Sequence, residues 1–305
     1  MLGDLVTFQR GHDLPKTQFK DGPYPVAGSN GIIGFHNEFT TRGPGVTIGR
    51  SGNIGNAFFY ERDFWAHNTS LYVKEFHGSH PRFVYYLLKN FDLAGHNSGS
   101  AVPSLNRNYI HPLEVIAPQE IEEQKAIAKI LSDLDAKIEL NHQMNKTLEQ
   151  IAQAIFKQWF VDFEFLGHEK AKFVDGVPEG WEEKPLDQIA DFLNGLALQK
   201  FPPRDEDFLP VIKIRELNQG VTESSDKASS EINPAYIVDD GDVLFSWSGS
   251  LDVVIWGHGK GALNQHLFKV TSQKYPKWFY YFWIREHLPE FRLIAEGKAT
   301  TTLLS

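Results

Sequence analysis

Arginine and asparagine recur at the turns of this sequence, between strand-like runs rich in aromatic residues. Both side chains end in planar groups that can make paired hydrogen bonds. In the first part of the chain the set is Asn30, Arg42, Arg50, Ser51, Asn53, Asn56 and Asn68. In the second part it is Lys213, Arg215, Asn218, Ser248, Ser250, Lys260, Asn264, Gln265 and His266. Arg and Lys suit phosphates and guanine edges, while Asn and Gln suit adenine edges. The two sets are candidate DNA-contacting surfaces, and the signal is collective.

Chemistry that makes or breaks bonds is harder to find. Asn233-Pro234-Ala235-Tyr236 resembles the Asn-Pro-Pro-aromatic signature of adenine methyltransferases, but it lacks the second proline and no Gly-rich cofactor loop accompanies it. It reads as an Asn-Pro turn. Gly257-His258-Gly259-Lys260-Gly261 lacks the spacing and the Ser/Thr of a phosphate-cradling loop. Glu182-Glu183-Lys184 has no upstream acid on a strand to share a metal, since Asp175 sits in a polar stretch, so it reads as a solvated charge run. His77 and His80 bracket Gly78 and precede Pro81, which is loop chemistry and not ligand spacing. No catalytic and no metal-binding constellation emerges, and the expectation is a protein that is not itself an enzyme.

The elements that must position the candidate residues fall into three parts. At 305 residues, with 41% hydrophobic and 13% aromatic content, the chain can bury two ordinary cores. No apolar run reaches membrane-spanning length and no signal peptide follows Met1, so a cytoplasmic protein is expected, with no membrane partner. The net charge of −9 runs against a nucleic-acid partner until its distribution is considered. Residues 1–117 carry 10 Lys and Arg against 9 Asp and Glu, residues 118–165 carry 5 against 9, and residues 166–305 carry 15 against 21. A local basic face therefore remains open to either globular part.

From about Gln119 to Phe160 the apolar residues recur in a four–three rhythm: Ile127, Leu131, Leu134, Ile138, then Asn141 and Asn145, then Leu148, Ala152, Ile155 and Trp159. That is the seam of a coiled coil, with the two asparagines placed to fix register and partner number. The helix would be roughly 60 Å long, and its narrow stripe needs a partner helix to be stable. No second helix of that length is present, so the partner is expected in another chain or in a continuation of this one.

Before this rod, short strands at Val46–Ile48, Ala57–Tyr60 and Ser70–Val73 and an aromatic helix at Arg82–Phe91 predict a mostly β globule. The second half repeats the first. Leu2–Phe8 matches Leu186–Phe192, Pro25-Val26 answers to Pro210-Val211, and Val46–Gly52 aligns with Val243–Gly249. Asn68 and Leu71 mirror Asn264 and Leu267, and Phe83–Tyr86 mirrors Trp278–Tyr281. Gly99-Ser100-Ala101 recurs as Gly297-Lys298-Ala299. The expected organisation is α+β: a first globule at 1–117, a long helix at 118–165, a linker at 166–180 and a second globule at 181–305.

Tyr24-Pro25-Val26-Ala27-Gly28-Ser29-Asn30-Gly31-Ile32-Ile33-Gly34 and Ile48-Gly49-Arg50-Ser51-Gly52-Asn53-Ile54-Gly55 resemble the target-recognition domain of the specificity subunits of Type I restriction-modification systems. Pro118-Gln119 to Glu123-Gln124-Lys125 is similar to that family's spacer region, and Pro178-Glu179-Gly180-Trp181 to the usual opening of its second recognition domain. The resemblance implies that each recognition domain reads one half of a bipartite site in double-stranded DNA. It implies two antiparallel helices setting the spacer, two adenine-N6 methyltransferase subunits docked on them, and nuclease/translocase subunits joining that core. Methyl donor, ATP and Mg²⁺ would be bound by those partners and not by this chain. Two departures stand out: the sequence starts almost at the first recognition domain, and the second helix is absent after Ser305. A truncation, a fragment, or a helix supplied by a second copy of this chain would each account for them. The reading from another class is a coiled-coil interaction scaffold that does not read DNA, and a self-contained methyltransferase ranks last.

Overall fold

The computed structural model describes residues 1–96, 103–203, 206–295 and 297. The chain divides into two compact units, residues 1–145 and 146–305. The division falls inside the long helix expected at 118–165, which contributes a stretch to each unit.

In the first unit, α1 (Leu2–Leu5) leads into β1 (Thr7–Arg10), and β2 (Tyr24–Gly28) and β3 (Gly31–His36) form a hairpin. There follow β4 (Gly45–Gly49), β5 (Ala57–Tyr60), β6 (Trp65–Ala66), β7 (Ser70–Glu75), α2 (Pro81–Lys89), α3 (Arg107–Ile110) and the start of α4 (Ile121–Phe156). One sheet has the order β1-β7-β4-β5 and the other β3-β2-β6, with β2 and β6 parallel. Strand alternation builds two cores from the central strands. Val46, Ile48, Leu71 and Val73 face α2 through Phe83, Val84 and Leu88. Tyr72 points the other way, to Ala27, Tyr60, Phe64 and Ala66. Pro81 starts α2 at the position where its missing N–H costs nothing.

The second unit opens with a hairpin of β8 (Phe173–Val174) and β9 (Val177–Pro178). The sequence reading placed this stretch in a plain linker; Asp175 and Gly176, both at positive φ, instead make the tight turn that an Asp-Gly pair favours. Then come α5 (Leu186–Ile189), β10 (Asp191–Asn194), β11 (Phe208–Ile212), α6 (Ile214–Gln219), β12 (Lys227–Ser229), β13 (Ile237–Val238), β14 (Val243–Ser246), β15 (Asp252–Ile255), β16 (Gly261–Leu263), β17 (Leu267–Thr271) and α7 (Lys277–Ala295). Sheet order β10-β17-β14-β15 repeats that of the first unit, and the parallel pair β11·β16 repeats β2·β6. Gly49 pairs with Ser70, and Ser246 with Leu267, so Val46–Gly49 corresponds to Val243–Ser246 as the sequence predicts. Val26 opposite Trp65 corresponds likewise to Val211 opposite Ala262.

One pairing shifts. The parallel bridges His12↔His67 and Leu196↔Asn264 match His67, not Asn68, with Asn264. The turn after each bridge is three residues long, and Ser70 and Leu267 donate their amides back to His67 and Asn264. The Gly99–Ala101 and Gly297–Ala299 match involves positions outside the described residues.

A glycine makes each bridge. A Cβ on Gly11 would lie 2.1 Å from the His67 carbonyl oxygen, and one on Gly195 would lie 2.3 Å from that of Asn264. Only a residue without a side chain lets the two backbones meet there.

The long helix runs from Ile121 to Phe156, about 54 Å at 1.5 Å per residue, and continues as a single π-turn over Lys157–Val161. The face it lays on its own globules lies beside the expected seam. Gln124 and Ala128 are buried in the first unit, where the Gln124 carboxamide accepts from His80 N–H and donates to Pro118 O. Phe156 is buried in the second unit among Trp278, Phe279, Phe282 and Trp283. Of the expected seam, Ile127 packs on the first core and Leu131 and Ala152 are half-buried. Leu134, Ile138, Leu148, Ile155 and Trp159 are exposed, as are Asn141 and Asn145. Among the described residues, no helix is long and apolar enough to cross a membrane.

Each unit fastens its own stretch of α4 by the same device. The Tyr86 hydroxyl donates to Asp135 at 2.8 Å, with Lys89 at 3.9 Å from the same carboxylate. Tyr281, its repeat counterpart, donates to Glu149 at 2.5 Å, and Arg285 completes the triad. Burial, reinforced by the hydrogen bond to Asp135, pushes the Tyr86 phenol from 10.0 up to about 12.

Two outcomes follow from these contacts. Gly11→Ala is expected to cost about 3 kcal/mol of first-unit stability in urea unfolding, because backbone and not a flexible side chain must move, and Gly195→Ala should cost a similar amount in the second unit. Tyr86→Phe is expected to cost about 1 kcal/mol. A raised folded-state pKa means that the wild-type advantage is fully present below pH 10 and disappears as pH rises through about 12. A difference between the two proteins that persists at pH 12 would show that the phenol proton is not what holds α4.

Candidate nucleic-acid interface

In the first unit the sheet order joins residues that are far apart in sequence. β1, β7 and β4 lie side by side, and Ser104 bridges to Ser51, bringing Gln9, Arg10, Arg50, Lys74, Asn106 and Arg107 around one pocket of about 640 Å³. Four cations line it. Arg10 pairs with Asp13 at 3.0 Å, Arg50 donates to the Asn68 carbonyl at 3.1 Å, and Arg107 donates to Phe8 O at 3.4 Å. Lys74 has no ion pair among the described residues. These hydrogen bonds use one guanidinium edge each and leave donors for a ligand, which suits a phosphate or a guanine edge.

Of the first-unit candidates, Arg50 lines this pocket, Ser51 bridges to its Ser104, and Asn68, whose carbonyl accepts from Arg50, donates its amide to Asp13. Asn53 and Asn56 lie just beyond and satisfy each other at 2.9 Å. Asn30 is exposed on the β2–β3 turn, and Arg42 is exposed at the other end of β4 from Arg50. Arg10, Lys74, Asn106 and Arg107 were not in the sequence-derived set. Nothing local marks them, because their proximity depends on which strands are neighbours.

Carrying the register to the second unit gives a different surface. Arg10 pairs with Leu71 and Asn194 with Phe268, so Asn194 takes the place of Arg10, while Trp247 takes the place of Arg50 and Ser248 that of Ser51. Trp247 is 43% exposed and donates its indole N–H to Asn194 Oδ1 at 3.2 Å. His266 lies 6.1 Å from the indole, 3.1 Å from the Ser248 hydroxyl and 3.5 Å from the Gln265 amide. This site is aromatic and neutral where its counterpart is cationic.

Several second-unit candidates make contacts within the unit. Lys213 is paired with Asp226, whose carboxyl it holds below the ordinary range by hydrogen bond and charge. Arg215 neutralises the fully buried Glu216 at 2.8 Å, with Ser225 as a further donor. Asn218 donates to Ile214 O within α6. Asn264 is buried and turns the chain by accepting from His266 N–H. Lys260 faces Asp239 at 3.7 Å, at the opposite end of β16 from Asn264. Ser250 is exposed, and its carbonyl accepts from the Ser246 hydroxyl.

Asn233 accepts from Ala235 N–H, as an Asn-Pro turn requires. Glu182 and Lys184 pair with each other at 2.6 Å. No group of three or more His, Asp or Glu that could hold a metal ion is present among the described residues.

Comparison with known proteins gives the family of the chain that carries these two surfaces. The Type I restriction enzyme MjaIX specificity subunit of Methanocaldococcus jannaschii is 34% identical over 157 residues, 47% of this chain and 35% of that protein. The Type I restriction enzyme HindI specificity subunit of Haemophilus influenzae is 37% identical over 103 residues, 32% of this chain and 22% of that protein. These matches therefore span about a third or less of the relatives' own lengths. The crystal structure of a Type I restriction-modification S subunit from M. genitalium shares the fold, with a TM-score of 0.56 over 99% of this chain and 80% of that one, at 15% identity. With its pattern matched over residues 1–150 and 178–302, the chain belongs to the Type I restriction modification DNA specificity domain family.

Proposed function

We propose that this chain is the DNA-recognition part of a Type I restriction-modification complex, each unit reading one half of a bipartite site in double-stranded DNA. The observation that carries this reading is the exchange at two neighbouring positions of a repeated scaffold: Arg10 and Arg50 in the first unit, Asn194 and Trp247 in the second. A duplicated structural part has no reason to change its surface chemistry so completely at one place, whereas a reader of two different sequences does. The names of the relatives, all specificity subunits, support the same role.

On this reading the chain catalyses nothing itself. Two adenine methyltransferase subunits dock along α4, nuclease/translocase subunits join them, and these partners bring methyl donor, ATP and Mg²⁺. The exposed stripe of Leu134, Ile138, Leu148 and Ile155 takes a second long helix, for which a second copy of this chain is the candidate. The complex works in the cytoplasm, and α4 sets the unread gap between the half-sites.

Mapping N6-methyladenine in cells that hold this chain, its methyltransferase partner and no other modification system tests the proposal. A two-part motif with a fixed gap is expected. Arg50→Ala should weaken or relax only one half of that motif, by about 1–3 kcal/mol, while Lys74→Ala leaves the motif intact and lowers the slope of log affinity against log salt by about 1. Affinity independent of salt would favour the interaction scaffold. Seven residues inserted after Gln143 lengthen α4 by about 10 Å, and the gap should grow by about three base pairs. An unchanged gap would remove the helix from that role.

A further inference from the structure

Three cations of the first unit have neutral counterparts in the second. The register that sets Asn194 in the place of Arg10 and Trp247 in that of Arg50 also sets Thr271 in the place of Lys74. A guanidinium suits the paired O6 and N7 acceptors of guanine, and none stands at these positions. An indole does, and it is held still. Trp247 is 43% exposed, yet its N–H is spent on Asn194 Oδ1 at 3.2 Å, and its ring leans on Phe268 with centroids 6.1 Å apart. Such an indole has only its apolar ring left to offer a ligand.

The polar atoms around it are ordered too. The Gln265 amide nitrogen can only donate, so a neutral His266 accepts at Nε2, 3.5 Å away, and carries its proton on Nδ1, which donates to the Ser248 hydroxyl at 3.1 Å. Among the described residues this leaves the Asn194 amide hydrogens as donors and the Gln265 carbonyl as an acceptor. Seen from the major groove, only an A·T pair sets a methyl group beside acceptors and a donor that such amides can meet. An apolar ring set among amides matches that edge and not the wholly polar edge of G·C.

We propose that the second unit reads a thymine of its half-site by the 5-methyl group, which packs on the Trp247 ring while the Asn194 amide donates to a base acceptor beside it. This rests on the reading of each unit as the reader of one half-site. Removing the methyl from water supplies the discrimination, and the fixed indole supplies it without an ordering cost at binding.

The test uses the chain in complex with its methyltransferase partner and labelled duplexes carrying the motif from the methylation map, with binding followed by fluorescence anisotropy. Each thymidine of the motif is replaced in turn by deoxyuridine, which removes one methyl group and keeps every hydrogen-bonding group. In the half that Arg50→Ala does not relax, one such replacement is expected to weaken binding about threefold or more. At that position Trp247→Ala should bind thymidine and deoxyuridine duplexes alike, while Trp247→Phe, which keeps an apolar ring, should still prefer thymidine. An effect of the methyl on DNA stiffness alone would survive Trp247→Ala, so the coupling isolates the contact. A half-site without thymine, equal binding of every deoxyuridine duplex in that half, or a preference that survives Trp247→Ala would overturn the inference and leave the bipartite reading standing. Absence of any two-part motif would overturn both.

Discussion

Both candidate surfaces depend on a place where two backbones touch. At Gly11 and at Gly195 the chain leaves its edge strand and crosses the residue that follows the parallel strand, His67 or Asn264, at a distance no side chain tolerates. The crossing is fastened by His12 N–H to Ala66 O at 2.7 Å and by Leu196 N–H to Leu263 O at 2.9 Å. The residue just before the glycine is thereby fixed beside the turn after the central strand. In the first unit this sets Arg10 near Arg50; in the second it sets Asn194 within 3.2 Å of the Trp247 indole. The position is built by backbone alone, so the side chains mounted on it are free to differ.

That separation of frame from cargo lets an acidic chain carry a locally basic surface. The total of −9 describes the whole, whereas the first-unit pocket gathers Arg10, Arg50, Lys74 and Arg107 against Asp13. Field at a contact surface is set by the nearest charges, because at physiological ionic strength charges beyond about 8 Å are largely screened. Elsewhere the acids have other work. Asp135 and Glu149 hold tyrosines of the globules to α4, and Glu216 stays buried with Arg215 to shape α6.

How much of this the sequence disclosed follows from the range of the forces involved. β5 runs over Ala57–Tyr60 as its aromatic run predicts, and α2 begins one residue early because Pro81 is itself a good first helical residue. The repeat was legible because the same buried periodicity had to be written twice. The Asp-Gly hairpin at 175–176 carried a local signal that its charged surroundings obscured. The basic pocket was not legible, since residues 10, 50, 74 and 107 meet only through strand order, a property of the whole sheet. Lys213 and Arg215 look like ligand-binding cations in sequence, but the acids that use them, Asp226 and Glu216, become visible only once α6 is folded.

The long helix shows the same limit from the other side. Its apolar rhythm identified a helix that needs a partner, and Leu134, Ile138, Leu148 and Ile155 remain about half exposed. The rhythm could not separate that stripe from the neighbouring one that each unit uses for itself, because a heptad seam and an intramolecular contact face obey the same spacing. Gln124, Ala128 and Phe156 belong to the second kind. A helix with two working faces, one spent on its own globules and one open, can be anchored and still be available for pairing. Pairing would then cover the open stripe while the tyrosine–carboxylate contacts hold the other face to its own globules.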